Sequence, residues 1–262
     1  MEKLRLGGMA LGNGVLVHGP TSWGCAVRLA DGTVKAASGR KPLFAPAVQT
    51  PFVRGPLRLA EAFALLPDVR RGVPEARFPF QRPAVLTTAV AASLVGGLAR
   101  RSRLPVGARE LVAAVAAIVP AMVALRGGEL TQYHGAEHVS IGTYEADGKR
   151  APKEHERCGS HLVGPLILSS IAVGTLTAGA PKRARPVARV AGAFGALGAS
   201  VELFGWMTRN PERRLARALA RPGHELQHRL STSEPTPEQL EVAEAALSAC
   251  LAAEADAQAA PE

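Results

Sequence analysis

No charged residue interrupts "LVGPLILSSIAVGTLTAGA", residues 162–180. A bilayer-crossing helix needs about 20 apolar residues, and this run is close to that length. Three further runs share its composition: "PAVLTTAVAASLVGGLA" (83–99), "LVAAVAAIVPAMVAL" (111–125) and "VAGAFGALGASVELFGWM" (190–207). The first two are short for an ordinary span, and the last contains Glu202. All are rich in Ala and Gly, whose small side chains let helices pack closely inside a membrane. The expected fold is mostly α, an Ala/Gly-rich transmembrane helical bundle. A soluble bundle with an Ala-rich core is the alternative.

The charge pattern around these runs fits the membrane reading. The chain has 262 residues and a formal charge of +9, owed mainly to arginine. Arginines flank the apolar runs, as in "ARRSRLPVGAR" (99–109), "PKRARPVAR" (181–189) and "RNPERRLARALAR" (209–221). They are not interleaved with aromatics, which make up 4% of the chain, so nucleic acid is a disfavoured partner and the lipid bilayer a favoured one. If all four runs cross, the two short loops between paired runs share one side. Those loops hold Arg100, Arg101, Arg103 and Arg109, and Lys182, Arg183, Arg185 and Arg189. Such charge runs against the positive-inside tendency. The expectation is nonetheless a multi-pass protein of the bacterial cytoplasmic membrane with its polar centre facing the cytoplasm. The start, "MEKLRLGGMALGNG", has no long apolar stretch after its charges and does not read as a cleavable signal peptide. Cys25, Cys158 and Cys250 are too few and scattered for a disulfide framework.

Between the second and third runs lies "YHGAEH", Tyr133 to His138. The stretch from Glu129 to Tyr144 has no proline and reads as helix. Residues four apart then share a face, so His134 and His138 can aim two imidazoles at one metal ion. Glu137 stands beside them as a candidate general base. This is the His-x-x-Glu-His order of one class of zinc hydrolases. The bland reading is a pair of ordinary helix histidines. Downstream, "HERCGSH" adds His155, Cys158 and His161. Zinc is the expected cofactor, held by His134, His138 and further donors drawn from Cys158, His155 and Glu202. A closed four-ligand site would be structural, and three ligands with an open position catalytic. Cys158 is favoured over His161, which begins the next apolar run. For Glu202 two readings stand level: third ligand, or a salt bridge to an arginine. Glu145 lies two turns past His138, too far to share one metal with His134, so it is expected to support a ligand from outside, as is Tyr133.

The ends are built differently. Residues 1–55 form a β-rich N-terminal region. There "WGCAVRLADGTVKAAS" reads as a β-hairpin turning at Asp31-Gly32, and the glycines of 7–14 as tight-turn residues. Residues 56–210 form the helical membrane and metal-site core. It opens with an amphipathic helix, "GPLRLAEAFALLP", that ends at Pro67. Residues 211–262 form a C-terminal helical region. Thr236 and Gln239 make a capping box for a helix that docks on the body or on a partner.

Four stretches together resemble the bacterial YqhQ-like family, the membrane proteins labelled domain of unknown function 1385. They are "GGMALGNGVLVHGPTSWGCAVRLADG" (7–32), "YHGAEHVSIGTYE" (133–145), "HERCGSHL" (155–162) and "PGHELQHRLSTSEPTPEQLEVAEAAL" (222–247). The resemblance implies a multi-pass membrane protein, described as a metal-dependent enzyme, with His134, Glu137, His138, His155 and Cys158 at signature positions. Two functions follow as expectations. One is a zinc-dependent membrane hydrolase acting on a peptide or lipid-linked substrate. The other is a non-enzymatic scaffold or assembly factor with a structural His/Cys site and a protein partner.

Overall fold

The computed structural model describes residues 3–44 and 47–259. The N-terminal region is a four-stranded antiparallel meander in the order β1-β2-β3-β4. Its strands are β1 (Gly7–Leu11), β2 (Gly14–His18), β3 (Ser22–Arg28) and β4 (Val34–Arg40). The predicted hairpin is present as β3 and β4, in register from Ser22↔Arg40 to Arg28↔Val34. Gly32 takes the left-handed φ of 87° in its turn, and the Asp31 carboxylate accepts the Thr33 N–H at 3.0 Å. The glycines of 7–14 do more than turn the chain. Gly7 and Gly8 lie within β1, and Gly14 opens β2.

Alternation along the strands supplies two apolar faces, and both are covered. Ala10, Val15, Val17 and Ala26 pack with Val242, Ala246 and Cys250 of the C-terminal helix α9 (Pro237–Ala259). Leu11, Leu16, Cys25 and Val27 pack instead with Leu65, Val69 and Val73. Each such large side chain contributes about 1.5–3 kcal/mol on full burial, which stabilises a sheet this small. Of these, Val69 belongs to α2 (Leu66–Gly72), and Leu65 and Val73 flank it at its two ends; α2 follows α1 (Arg54–Ala64). Pro67 therefore does not end a helix in the expected way. It occupies the first turn of α2, where a missing N–H costs nothing. The expected capping box is in place on α9: Thr236 N–H reaches Gln239 Oε1 at 2.9 Å, and Gln239 N–H faces Thr236 Oγ1 at 3.4 Å.

The apolar runs form α3 (Pro83–Arg101), α4 (Val106–Ala124), α6 (Val163–Ala178) and α7 (Arg185–Arg209). α6 is entered through a short 3₁₀ turn at Gly159–Leu162. α3 packs antiparallel on α4, and α6 on α7, with α4 against α6 joining the two hairpins. The two short runs become 19-residue helices because each recruits charged or polar residues at an end. All four are long and apolar enough to cross a membrane, and most of each surface is left uncovered by the rest of the chain. Leu86, Val90, Leu94 and Leu98 are between 58% and 67% exposed on α3. Large apolar faces of this kind mark a membrane protein.

Candidate metal centre

Helix α5 (Glu129–Glu145) carries "YHGAEH" and is buried continuously from Leu130 to Gly142, apart from Gln132. A helix can be buried on nearly every side only if neighbours approach its backbone closely, and glycines allow this. A Cβ on Gly135 would lie 2.1 Å from the Ser233 carbonyl oxygen, so the 231–235 segment crosses α5 directly over that glycine. A Cβ on Gly142 would lie 2.6 Å from Cβ of Ala151, where the loop after α5 folds back. From a third side β1 approaches: a Cβ on Gly8 would fall 2.4 Å from Glu137 Oε1.

The two crossing segments fix the histidines. The Ser231 carbonyl faces His134 Nδ1 at 2.8 Å, and the Lys153 carbonyl faces His138 Nδ1 at 2.6 Å. A carbonyl only accepts, so each Nδ1 carries the proton and each Nε2 keeps a free lone pair. This is the arrangement of a metal-ligating histidine held by an outer partner. The rings lie 4.4 Å apart between centroids. Cys158 enters from the loop before α6, with Sγ 3.6 Å from His134 Nε2. One ligand atom from each of His134, His138 and Cys158 lies within 4.8 Å of the others. Two imidazole nitrogens and a sulfur at this spacing can hold a metal ion.

The electrostatics suit such a use. Burial pushes His138 well below its ordinary value and so keeps it neutral, helped by the neighbouring His134. Burial raises the Cys158 thiol, so a bound cation must displace its proton. Glu137 is 6% exposed and makes no hydrogen bond or ion pair with any described residue. Burial raises its carboxyl to about 8, opposed by His134 and reinforced by Cys158. A buried carboxylate without a partner is costly, and a cation with its bound solvent beside it would relieve that cost.

The other predicted residues sit around this cluster or away from it. His155 lies with its ring 5.6 Å from His138, but its Nε2 faces Glu145 Oε2 at 3.1 Å. Glu145 also pairs with Arg157 and so holds the 155–157 loop. Tyr133 lies in the core shared by the sheet and α9. Glu202 is not brought to the cluster. Its carboxylate binds Arg54 through two contacts, of 2.8 and 2.6 Å, and accepts the Phe52 N–H at 3.3 Å. Of the two readings left open for Glu202, the geometry is that of the ion pair.

Sequence reasoning missed Gln227 and Ser231. Both lie in a π-helical turn, Gln227–Ser231, at the end of α8 (Arg214–Leu226). Gln227 is fully buried; its amide oxygen accepts the His155 N–H at 2.8 Å and its amide nitrogen donates to Ser160 Oγ at 2.8 Å. It thus clamps both flanks of Cys158. A glutamine between two histidines in "HELQH" carries no spacing signal, and Ser231 acts through its backbone.

Paired apolar helices with a His/His/Cys cluster beside them, its two histidines buried and Cys158 half-buried, define a membrane protein with a candidate metal centre. A family profile described as protein of unknown function (DUF1385) matches residues 116–253, more than half of the chain, and the protein belongs to that family. No characterised protein and no solved structure matches the chain significantly.

Proposed function

We propose that the protein is a zinc-dependent membrane hydrolase. His134 and His138 hold the metal through Nε2 and Cys158 through its thiolate, and Glu137 is the general base. The observation that carries this reading is Glu137, a buried carboxyl with no hydrogen-bond or ion-pair partner among the described residues, beside three metal donors. A structural site would tend to use a fourth protein donor, whereas three donors leave a position for substrate. Zinc, when bound, supplies a Lewis acid for hydrolysis.

The chain's own residues account for the rest. The carbonyls of Ser231 and Lys153 hold both imidazoles in the ligating tautomer. Gln227 and Glu145 immobilise the loop that presents Cys158. Glu137 accepts a proton at its carboxylate from the attacking water and returns it to the leaving group. A neighbouring cation lowers the carboxyl from its metal-free value of about 8, so that it is ionised near neutrality. The substrate is a peptide or lipid-linked molecule reached at the membrane face.

We further infer that both helical hairpins cross the membrane. The sheet, α5 and α9 then lie together on one side, in keeping with their shared core. That side is the cytoplasm. Arg70, Arg71, Arg77 and Arg82 before α3 and the six arginines from Arg209 to Arg229 at and after the end of α7 make ten on that side, which offset the eight basic residues of the two short loops opposite.

Mass spectrometry of protein purified in mild detergent tests the metal. Wild type is expected to carry one equivalent of zinc, His134→Ala and Cys158→Ala to lose it, and Glu137→Gln to keep it while losing hydrolytic activity in a substrate screen. Folded wild type without metal would end the metalloenzyme reading. X-ray absorption showing four protein ligands would favour the assembly factor instead.

A further inference from the structure

A second feature adjoins the metal loop. α8 lies across the ends of α6 and α7 and is seated there by two glycines. A Cβ on Gly164 would lie 2.3 Å from the Leu219 carbonyl oxygen, and a Cβ on Gly223 would lie 2.5 Å from that of Ser160. Between α8 and the last turns of α7 is a cavity of about 440 Å³. Its floor is apolar and includes Phe204 and Met207 of α7. Its wall carries Arg157, Arg217 and Arg221.

The three arginines differ in their commitments. Arg157 is ion-paired with Glu145. Arg217 and Arg221 sit one turn apart on the same face of α8, and neither guanidinium has a hydrogen bond or ion pair with any described residue. Among the described residues, Glu156 is the one carboxylate in the lining, so the wall stays positive. Two adjacent guanidinium forks present donors that match phosphate oxygens. The apolar floor continues onto α7, a candidate membrane span. A soluble anion would use only the wall. A lipid would use wall and floor together.

We propose that this cavity binds the anionic headgroup of a membrane phospholipid, with Arg217 and Arg221 on its phosphate and the first acyl carbons against Phe204 and Met207. Arg157 and Cys158 are consecutive, so the lipid is bound beside the metal loop. The inference rests on the membrane reading of α7 and not on the metal.

Native mass spectrometry of detergent-purified protein tests it, with phosphatidylglycerol, phosphatidylcholine and inorganic phosphate as separate probes. Wild type is expected to retain one phosphatidylglycerol with a preference of about tenfold or more over phosphatidylcholine. Arg217→Gln/Arg221→Gln is expected to lose that preference, while Arg100→Gln/Arg189→Gln, at the opposite ends of the helices, keeps it. Equal retention of both lipids by wild type overturns the proposal whatever the variants do. So does displacement of the lipid by millimolar inorganic phosphate, which would mark a soluble-anion site. Zinc content read from the same samples separates this outcome from failure of the metal centre.

Discussion

A glycine one position from a metal-ligand candidate shows how tightly the centre is built. Gly135 leaves room for the 231–235 segment, whose Ser231 carbonyl orients His134. Gly135→Ala places a methyl 2.1 Å from the Ser233 oxygen, so backbone must move. The expected cost is about 1–3 kcal/mol of stability, with zinc affinity reduced at least as much because His134 loses its carbonyl. Thermal melts and zinc titration check this, and an unchanged metal affinity would show that the carbonyl is dispensable. Glu137 predicts a pH dependence. In the metal-free protein its carboxyl titrates at about 8 instead of 4.5. Below 4.5 both folded and unfolded chains hold the proton. Between 4.5 and 8 only the folded chain holds it, so stability falls as pH rises, by about 1.4 kcal/mol per unit. Glu137→Gln removes this slope. Melts in chelator across pH 5 to 8 would show parallel wild-type and variant curves if the carboxyl is not held neutral by burial.

At the scale of elements, α9 and the sheet depend on one buried acid. Glu254 is 1% exposed and accepts the N–H groups of Thr21 and Ser22, each at 2.7 Å, and the Thr21 hydroxyl at 2.8 Å. It fastens the end of α9 to the turn between β2 and β3. Glu254→Ala is expected to cost about 3 kcal/mol, since donors buried around it lose a charged acceptor. Faster hydrogen exchange along α9 should accompany the lower melting temperature. Elements that announce themselves through side-chain chemistry were legible in the sequence: the Asp31-Gly32 hairpin, the Thr236–Gln239 cap, and α5 with its His-x-x-Glu-His face. β1 and β2 were not, because glycine is depleted in strands and reads as turn. Their glycines answer to neighbours far along the chain. Gly8 faces Glu137, and a Cβ on Gly24 of β3 would lie 2.3 Å from the Cys250 nitrogen. The His134, His138 and Cys158 cluster was legible as donor types. The carbonyls that orient it were not, since a backbone oxygen has no letter.

For the whole molecule, the exposed apolar faces of α3, α4, α6 and α7 set the expected behaviour. The chain should remain with the membrane fraction through alkaline carbonate washing. Leu94→Arg, on the exposed face near the middle of α3, should weaken insertion by roughly 2.5–3.5 kcal/mol and move part of the protein into the supernatant. A wild-type protein released by carbonate would show that these faces meet another protein instead of lipid.

The crossing of the 231–235 segment over α5 also sets an order of events during synthesis. The donors at 134, 138 and 158 leave the ribosome long before the Ser231 carbonyl that orients His134. The sheet leaves first of all, yet the helix that covers one of its faces emerges last. On the proposed reading, both helical hairpins would enter the bilayer while the centre is still unassembled, and metal loading would fall at the end of translation. A nascent chain arrested before residue 231 should be inserted but unable to retain zinc.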